Sequence, residues 1–167
     1  FSVVRYGNVL GSRGSVVPYF LSLTTGTRVP VTDLRMTRFV LKMDDAVSLV
    51  ETAIQEKLGG SIFVKKTPSA TIKTIAQACC DDAEIEVIGI RPGEKLHEQM
   101  ISIEDAAYTY DYDEYYKILP NINDWYKDER RIANGTAVQD GFVYSSGSNS
   151  EFFEVNGLRQ LITESKP

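Results

Sequence analysis

The chain has 167 residues, 43% of them hydrophobic and 25% charged. That is the composition of an ordinary soluble globular protein, and it excludes wholesale disorder and collagen-like structure; the length suits one domain and not comfortably two. Lys and Arg number 18 against 23 Asp and Glu, a net charge of -5, which argues against a general nucleic-acid binder while leaving room for a local basic pocket that takes an anionic small molecule.

Residues 1–6 open on the apolar run Phe1-Ser2-Val3-Val4, the pattern of a buried strand. A buried strand needs neighbours on both sides, so the N-terminal portion of a larger protein is expected to precede it. The opening has no charged n-region of a secretory signal, and no apolar run reaches the length of a membrane helix, so no membrane span is expected in this segment. Residues 7–14 read as a loop spaced by Gly7, Gly11 and Gly14. Ser15 reads as the N-cap of a helix over 16–24, with Pro18 in its first turn and Gly26 as its stop. Residues 29–31 and 38–41 read as short extended pieces. A helix then starts at Asp44 or Asp45 with Ala46, Leu49, Val50, Ala53 and Ile54 as its apolar stripe, and Gly59-Gly60 ends it. Residues 61–65 read as a strand, Ser69 as the cap of a helix running to about Cys80, and 84–90 as another strand. This alternation predicts an α/β architecture.

The only cysteines, Cys79 and Cys80, fall on that third helix behind Ile72, Ile75 and Ala76. They read as buried small apolar side chains in a reducing compartment rather than as redox groups. With two Cys and the single His97, a four-ligand structural zinc site and a disulfide framework are both excluded, and no metal is expected. Beyond residue 100 the stretch 107–116, AYTYDYDEYY, alternates Tyr with acids at period two and reads as a half-exposed strand continued by Ile118-Leu119-Pro120. Residues 121–141 read as polar and irregular. FVYSSGSNSEFFEV brings a short strand and a Ser-rich loop, and Asn156 reads as the cap of a last helix over 157–162.

Three clusters could carry chemistry. In the first, a strand ends at Arg5-Tyr6-Gly7-Asn8-Val9 and the glycine-spaced loop Gly11-Ser12-Arg13-Gly14-Ser15 leads into a helix. Ligands of open α/β sheets bind at such strand ends, where glycines let the backbone approach and arginine supplies a positive fork. An ordinary turn uses the same glycines, and the spacing is not that of the GxGxxG dinucleotide turn. In the second, Arg91-Pro92-Gly93-Glu94-Lys95 follows the strand EIEVIGI. There an arginine can grip a phosphate and a carboxylate can accept from a ribose diol, although a Pro-Gly turn with solvated charges gives the same letters. In the third, Arg38 stands in the otherwise apolar Met36-Thr37-Arg38-Phe39, and a buried arginine needs an anion from the protein or from a ligand. Arg13, Arg38 and Arg91 together would clamp a diphosphate. His97 reads as a packed or surface residue and the tyrosines of 108–116 as strand residues. No Tyr stands four residues before a Lys, so no YxxxK pair is present.

Together the blocks RYGNVLGSRGSVVPYF, MTRF…DDAV, IFVKKTPSATI, IGIRPGEKLHE and the tail FVYSSGSNSEFFEV resemble the carboxyl-terminal half of the extended short-chain dehydrogenase/reductases that act on nucleotide sugars. They are most similar to the polysaccharide-biosynthesis dehydratases of inverting type. The resemblance implies the last strands of a parallel, Rossmann-like sheet in residues 1–28 and a smaller α/β substrate-binding subdomain in 29–167. It implies an NADP-binding N-terminal half outside this chain, with no catalytic residue within it. It implies binding of UDP-N-acetylglucosamine by Asn8, Arg13, Gly14, Ser15, Val16, Val17, Thr32, Arg38, Arg91 and Glu94, and of NADP by Tyr6 and Val9 beside the nicotinamide. The implied reaction is 4,6-dehydration with inversion at C5, giving a 4-keto-6-deoxy UDP-sugar for pseudaminic-acid, flagellin or surface-polysaccharide glycosylation, by a cytoplasmic homo-oligomer. A 5-epimerising dehydratase, a UDP-sugar 4-epimerase and a non-catalytic nucleotide-sugar-binding module are the alternatives.

Overall fold

A computed structural model describes residues 1–23, 26–56, 58–80, 84–122 and 124–165. In chain order its elements begin with β1 (Val3–Arg5), β2 (Asn8–Val9), α1 (Val16–Leu21), β3 (Val29–Val31), β4 (Thr37–Leu41) and α2 (Met43–Gln55). They continue with β5 (Ile62–Lys65), β6 (Ser69–Thr71), α3 (Ile72–Cys79), β7 (Ile85–Val87) and β8 (Gln99–Ile101). After a 3₁₀ turn at Ala106–Tyr108 come β9 (Thr109–Asp111), β10 (Tyr115–Ile118), α4 (Glu129–Ile132), β11 (Thr136–Ala137), β12 (Tyr144–Ser145) and α5 (Val155–Glu164). Helices alternating with strands, and parallel pairing of β1 with β5, β2 with β4 and β3 with β7, give the α/β class that the sequence implies.

The described residues divide into two compact units. The first comprises Phe1–Tyr6, Asp44–Lys66 and Gln99–Ser145; the second comprises Gly7–Met43, Thr67–Glu98 and Ser146–Pro167.

The first unit is a sheet in the order β1-β5-β10-β9-β11, parallel only at β1–β5, where Val3 lies opposite Ile62 and Arg5 opposite Val64. Helix α2 covers it by setting Leu49 and Ala53 against Phe63, with Val4 and Tyr115 beside them. The buried stripe of α2 is narrower than its periodicity predicts: Ala46, Leu49 and Ala53 are buried, whereas Val50 is exposed and Ile54 is 76% exposed. The Tyr-Asp alternation is not one strand. It folds back as a hairpin, because the Tyr112 N–H donates to the Tyr115 carbonyl at 3.0 Å and turns the chain at Asp113-Glu114. Glu114 is held in that turn by Lys65, 2.9 Å away. Nor is 121–141 wholly irregular; it supplies a 3₁₀ turn at Trp125–Lys127, then α4 and β11. Its Arg131 is buried, donates to the carbonyls of Leu58 at 3.1 Å and Gly59 at 2.7 Å, and stacks over Trp125 at 4.4 Å. The Arg131 carbonyl in turn accepts from buried Lys117 at 2.8 Å, whose ammonium is also paired with Glu56.

The second unit holds the larger core. Val17 and Phe20 of α1, Ile72 and Ile75 of α3, and Leu158 and Ile162 of α5 pack with Val29, Val31 and Val40 of the strands. The loop predicted over 7–14 contains β2, which pairs with the end of β4, Asn8 opposite Val40 and Val9 opposite Leu41. α1 ends at Leu21, and Thr24, its predicted last residue, lies outside the described residues. Ser69 is not the cap of α3. It is buried in β6 and its hydroxyl accepts from Asn149 at 3.1 Å; Thr71 caps instead, its Oγ1 accepting the Thr74 N–H at 3.0 Å. β7 covers only three of the residues 84–90. α5 starts at Val155 with Glu154 in the cap position, ahead of the predicted Asn156. Cys79 and Cys80 are half-buried rather than buried, and the Cys80 thiol donates to the Phe20 carbonyl at 3.2 Å.

At the start of this unit the backbone of Gly7 runs against β4. A Cβ there would stand 2.4 Å from Phe39 Cβ and 2.7 Å from its carbonyl oxygen. Gly7→Ala is therefore expected to lower stability by about 2–3 kcal/mol in urea unfolding, and Thr71→Ala by about 1 kcal/mol through loss of the cap. A Gly7→Ala chain as stable as the parent would show that the strands can part at that point.

Candidate functional site

The second unit encloses a cavity of about 680 Å³. Its wall is assembled from strand ends and helix starts, as in other open α/β sheets. β2 contributes Asn8 and Val9; β3 ends in Pro30 and Val31, with Thr32 just beyond; β4 contributes Arg38 and Val40. Between β2 and α1 the chain turns through Gly14, whose φ of +77° is open to glycine and strained for other residues, and this turn brings Ser15, Val16 and Val17 onto the wall. The back of the cavity is apolar, formed by Phe20, Ile72 and Ile75. Arg91 and Glu94 close it from the segment after β7.

The structure therefore brings Asn8, Val9, Gly14, Ser15, Val16, Val17, Thr32, Arg38, Arg91 and Glu94 to one cavity. It does not bring all the residues singled out from the sequence. Arg13 is exposed and is not among the lining residues, and Tyr6 belongs to the first unit. Of the three arginines read as a clamp, Arg38 and Arg91 share the wall.

Those two arginines are held differently. Arg91 is exposed, and among the described residues its guanidinium has no partner. Only its backbone is fixed, its N–H donating to Glu94 Oε2 at 3.0 Å while the Glu94 N–H donates back to the Arg91 carbonyl at 3.1 Å. Arg38 is half-buried and largely committed. Nη1 donates to the carbonyls of Thr37 at 2.7 Å and Leu96 at 3.2 Å, and Nε lies 3.7 Å from Glu98 Oε1. The anion that a buried arginine needs is thus supplied by the protein.

Glu98 is the site residue that sequence reasoning passed over. Its carboxylate accepts the Phe39 N–H at 3.2 Å and, with the Asn8 amide oriented to satisfy both its ends, the Asn8 Nδ2 at 3.1 Å on each oxygen. Burial pushes its carboxyl above the usual glutamate range, against the opposing effects of the Phe39 N–H and the Arg38 charge. The available signal was the demand of Arg38 for an anion, together with an acid placed just before the apolar Met100-Ile101. Next to it, His97 Nδ1 meets Thr37 Oγ1 at 2.8 Å, and Thr37 Oγ1 meets the buried Ser146 hydroxyl at 2.8 Å. Gly147 lies so close to the imidazole that a Cβ would come within 2.6 Å of it, so His97 is an exposed residue whose ring rests on Gly147. Among the described residues no group of three or more His, Cys, Asp or Glu is arranged to hold a metal ion, and no helix is long and apolar enough to cross a membrane.

The chain is similar to several known proteins. A family model described as polysaccharide biosynthesis protein matches residues 1–120. A UDP-N-acetylglucosamine 4,6-dehydratase (inverting) of Campylobacter jejuni subsp. jejuni serotype O:2 is 42% identical over 173 aligned residues, covering 99% of this chain and 52% of that protein. A UDP-glucose 4-epimerase of Rickettsia canadensis is 42% identical over 121 residues, covering 70% of this chain and 36% of that protein. The crystal structure of Pen from Bacillus thuringiensis superposes with a TM-score of 0.82 at 28% identity, over 98% of this chain and 50% of that one. The chain thus spans about half the length of the dehydratases it matches.

The raised carboxyl has a pH consequence. Glu98 holds its proton to higher pH folded than unfolded, so between the ordinary glutamate value and its raised one the native state binds the extra proton, and stability falls as pH rises through that window. Glu98→Gln removes the titration. In urea unfolding the parent is expected to gain stability relative to Glu98→Gln on going from about pH 7 to about pH 5; a difference independent of pH would contradict the burial.

Proposed function

This chain belongs to the polysaccharide biosynthesis protein family, and from that membership we propose that it is the UDP-sugar-binding half of a UDP-N-acetylglucosamine 4,6-dehydratase that inverts C5. The observation that carries the proposal is the wall of the cavity: the Arg91 guanidinium, without a partner among the described residues, shares an apolar-backed pocket with Arg38, Asn8, Thr32 and Glu94. A UDP-sugar presents the complementary set, with a diphosphate for the arginine fork, ribose and sugar hydroxyls for a carboxylate and an amide, and ring faces for aliphatic side chains. Glu94 spends one oxygen on the Arg91 N–H and keeps the other for a ribose hydroxyl. The Gly14 turn and the start of α1 cover the sugar. The 4-epimerase match favours a second reading, a UDP-sugar 4-epimerase, which would use the same half-site but covers less of the chain.

The implied cofactor is NADP, which takes a hydride from the sugar and returns it. The residues at hand do not make a dinucleotide site: Val9 lies on the cavity wall, Tyr6 is in the other unit, and no glycine-rich dinucleotide turn follows a strand. NADP is accordingly assigned chiefly to residues outside this chain, and the part of the reaction proposed for the chain is binding and orienting the UDP-sugar. The 4-keto-6-deoxy product, destined for pseudaminic-acid, flagellin or surface-polysaccharide glycosylation, and a cytoplasmic homo-oligomeric assembly rest on the resemblance alone.

Calorimetric titration of the chain with UDP-N-acetylglucosamine tests the reading. Arg91→Ala, at an exposed side chain, is expected to leave the unfolding midpoint unchanged and to weaken binding about tenfold, or about 1.4 kcal/mol. Equal affinities for parent and variant, or no binding by the parent, would overturn it. Incubated with NADP and the same sugar nucleotide, this chain alone is expected to form no 4-keto product.

A further inference from the structure

We propose that Glu98 is a positioning residue that ties Asn8 on β2 to Arg38 on β4 and thereby fixes which atoms these two side chains offer the cavity. Glu98 does not itself line the cavity. Its backbone is clamped on both sides: its N–H donates to Ser146 Oγ at 2.9 Å and its carbonyl accepts the Ser146 N–H at 2.8 Å. From that anchor the carboxylate meets Asn8 Nδ2 at 3.1 Å, the Phe39 N–H at 3.2 Å and Arg38 Nε at 3.7 Å. The charged group facing it from β4 is Arg38, and from β2 it meets the neutral Asn8; His97, next in the chain, gives its Nδ1 to Thr37.

The consequence concerns polarity. Asn8 Nδ2 is consumed by Glu98 and by the Phe39 carbonyl, also at 3.1 Å. That orientation turns the Asn8 amide oxygen, an acceptor, toward donors. An acceptor selects a hydroxyl or an amide N–H and rejects a phosphate oxygen. Arg38 has Nη1 on two carbonyls, Nε toward Glu98 and Nη2 3.6 Å from the Met36 sulfur, a weak acceptor that an anion would outcompete for Nη2. Glu98 thus sorts the wall into a hydroxyl-reading group and an anion-reading group. A side chain lacking the carboxylate would leave Asn8 free to flip and to offer either end.

The tie is a property of the ligand-free chain; its effect on affinity rests on the UDP-sugar reading above. The test has two arms accordingly. In the ¹⁵N-labelled chain without ligand, the Asn8 side-chain amide signals are expected to shift with the titration of one carboxyl, and Glu98→Gln is expected to abolish that shift while leaving the backbone spectrum intact. Asn8 signals that do not respond to pH, or respond alike in both proteins, would overturn the proposal whatever the ligand does. In the second arm, UDP-N-acetylglucosamine is titrated into the parent, Glu98→Gln, Asn8→Ala and the double variant. Glu98→Gln is expected to weaken binding about fivefold to tenfold, and the double variant to bind within about twofold of the weaker single. Additive losses would show that Glu98 does not act through Asn8. No binding by the parent would overturn the UDP-sugar reading, and the spectra would still decide the role of Glu98.

Discussion

The second unit depends on one close approach. The backbone at residue 7 runs against Phe39 with no room for a side chain. Only because that position is glycine can β2 pair in parallel with the end of β4, and that pairing puts Asn8 opposite Val40, two residues along from Arg38. The register in turn brings the Asn8 amide and the Arg38 guanidinium to the same carboxylate. A polar cavity wall therefore rests on a steric constraint in an exposed-looking Gly-Asn dipeptide. The hydroxyl chain from His97 through Thr37 to Ser146 supports the same strand from the other end.

The two units handle buried charge in different ways. In the first, Lys117 pairs with Glu56 and donates to the Arg131 carbonyl, while Arg131 gives Nη1 to two backbone carbonyls, stacks over Trp125 and sets Nε 3.8 Å from Asp128. Such an arrangement fixes a sheet against the chain that crosses it and leaves the cations nothing to offer a ligand. The stacked Tyr112 and Tyr115 rings beside it, 4.9 Å apart, feel the same dry surroundings, and burial with the nearby acidic groups lifts the Tyr112 hydroxyl to about 12. In the second unit the compensation is incomplete. Arg38 is neutralised on one edge, and the exposed Arg91 guanidinium has no partner among the described residues. That difference separates a structural charge cluster from a site.

Much of the α/β frame was legible in the sequence because it rests on local rules. Strands β1, β3, β4 and β5 and helices α2 and α3 follow from apolar runs and stripes punctuated by glycine. The failures arise where two local signals compete or where a distant partner decides. Ser69 and Thr71 are both acceptable caps, and the pairing of β6 with β4 assigns Ser69 to a strand. The Tyr-Asp stretch alternates correctly for a strand at both ends, and only the hydrogen bond from Tyr112 to Tyr115 marks the reversal. Val50 and Ile54 fit the stripe of α2, but the structure leaves them exposed. At the site, the residue types of Asn8, Arg38, Arg91 and Glu94 were readable one by one. Glu98 was not, because a glutamate in a charged stretch looks solvated until β2 and β4 close over it.

The two units are built from six alternating stretches of chain, so the polypeptide passes from one to the other five times. No single cut can liberate either unit as a continuous piece. Most stabilising contacts join residues far apart in sequence, which slows folding, since long loops must close before the pairs that reward them can form. Deletion scanning should therefore find no removable half.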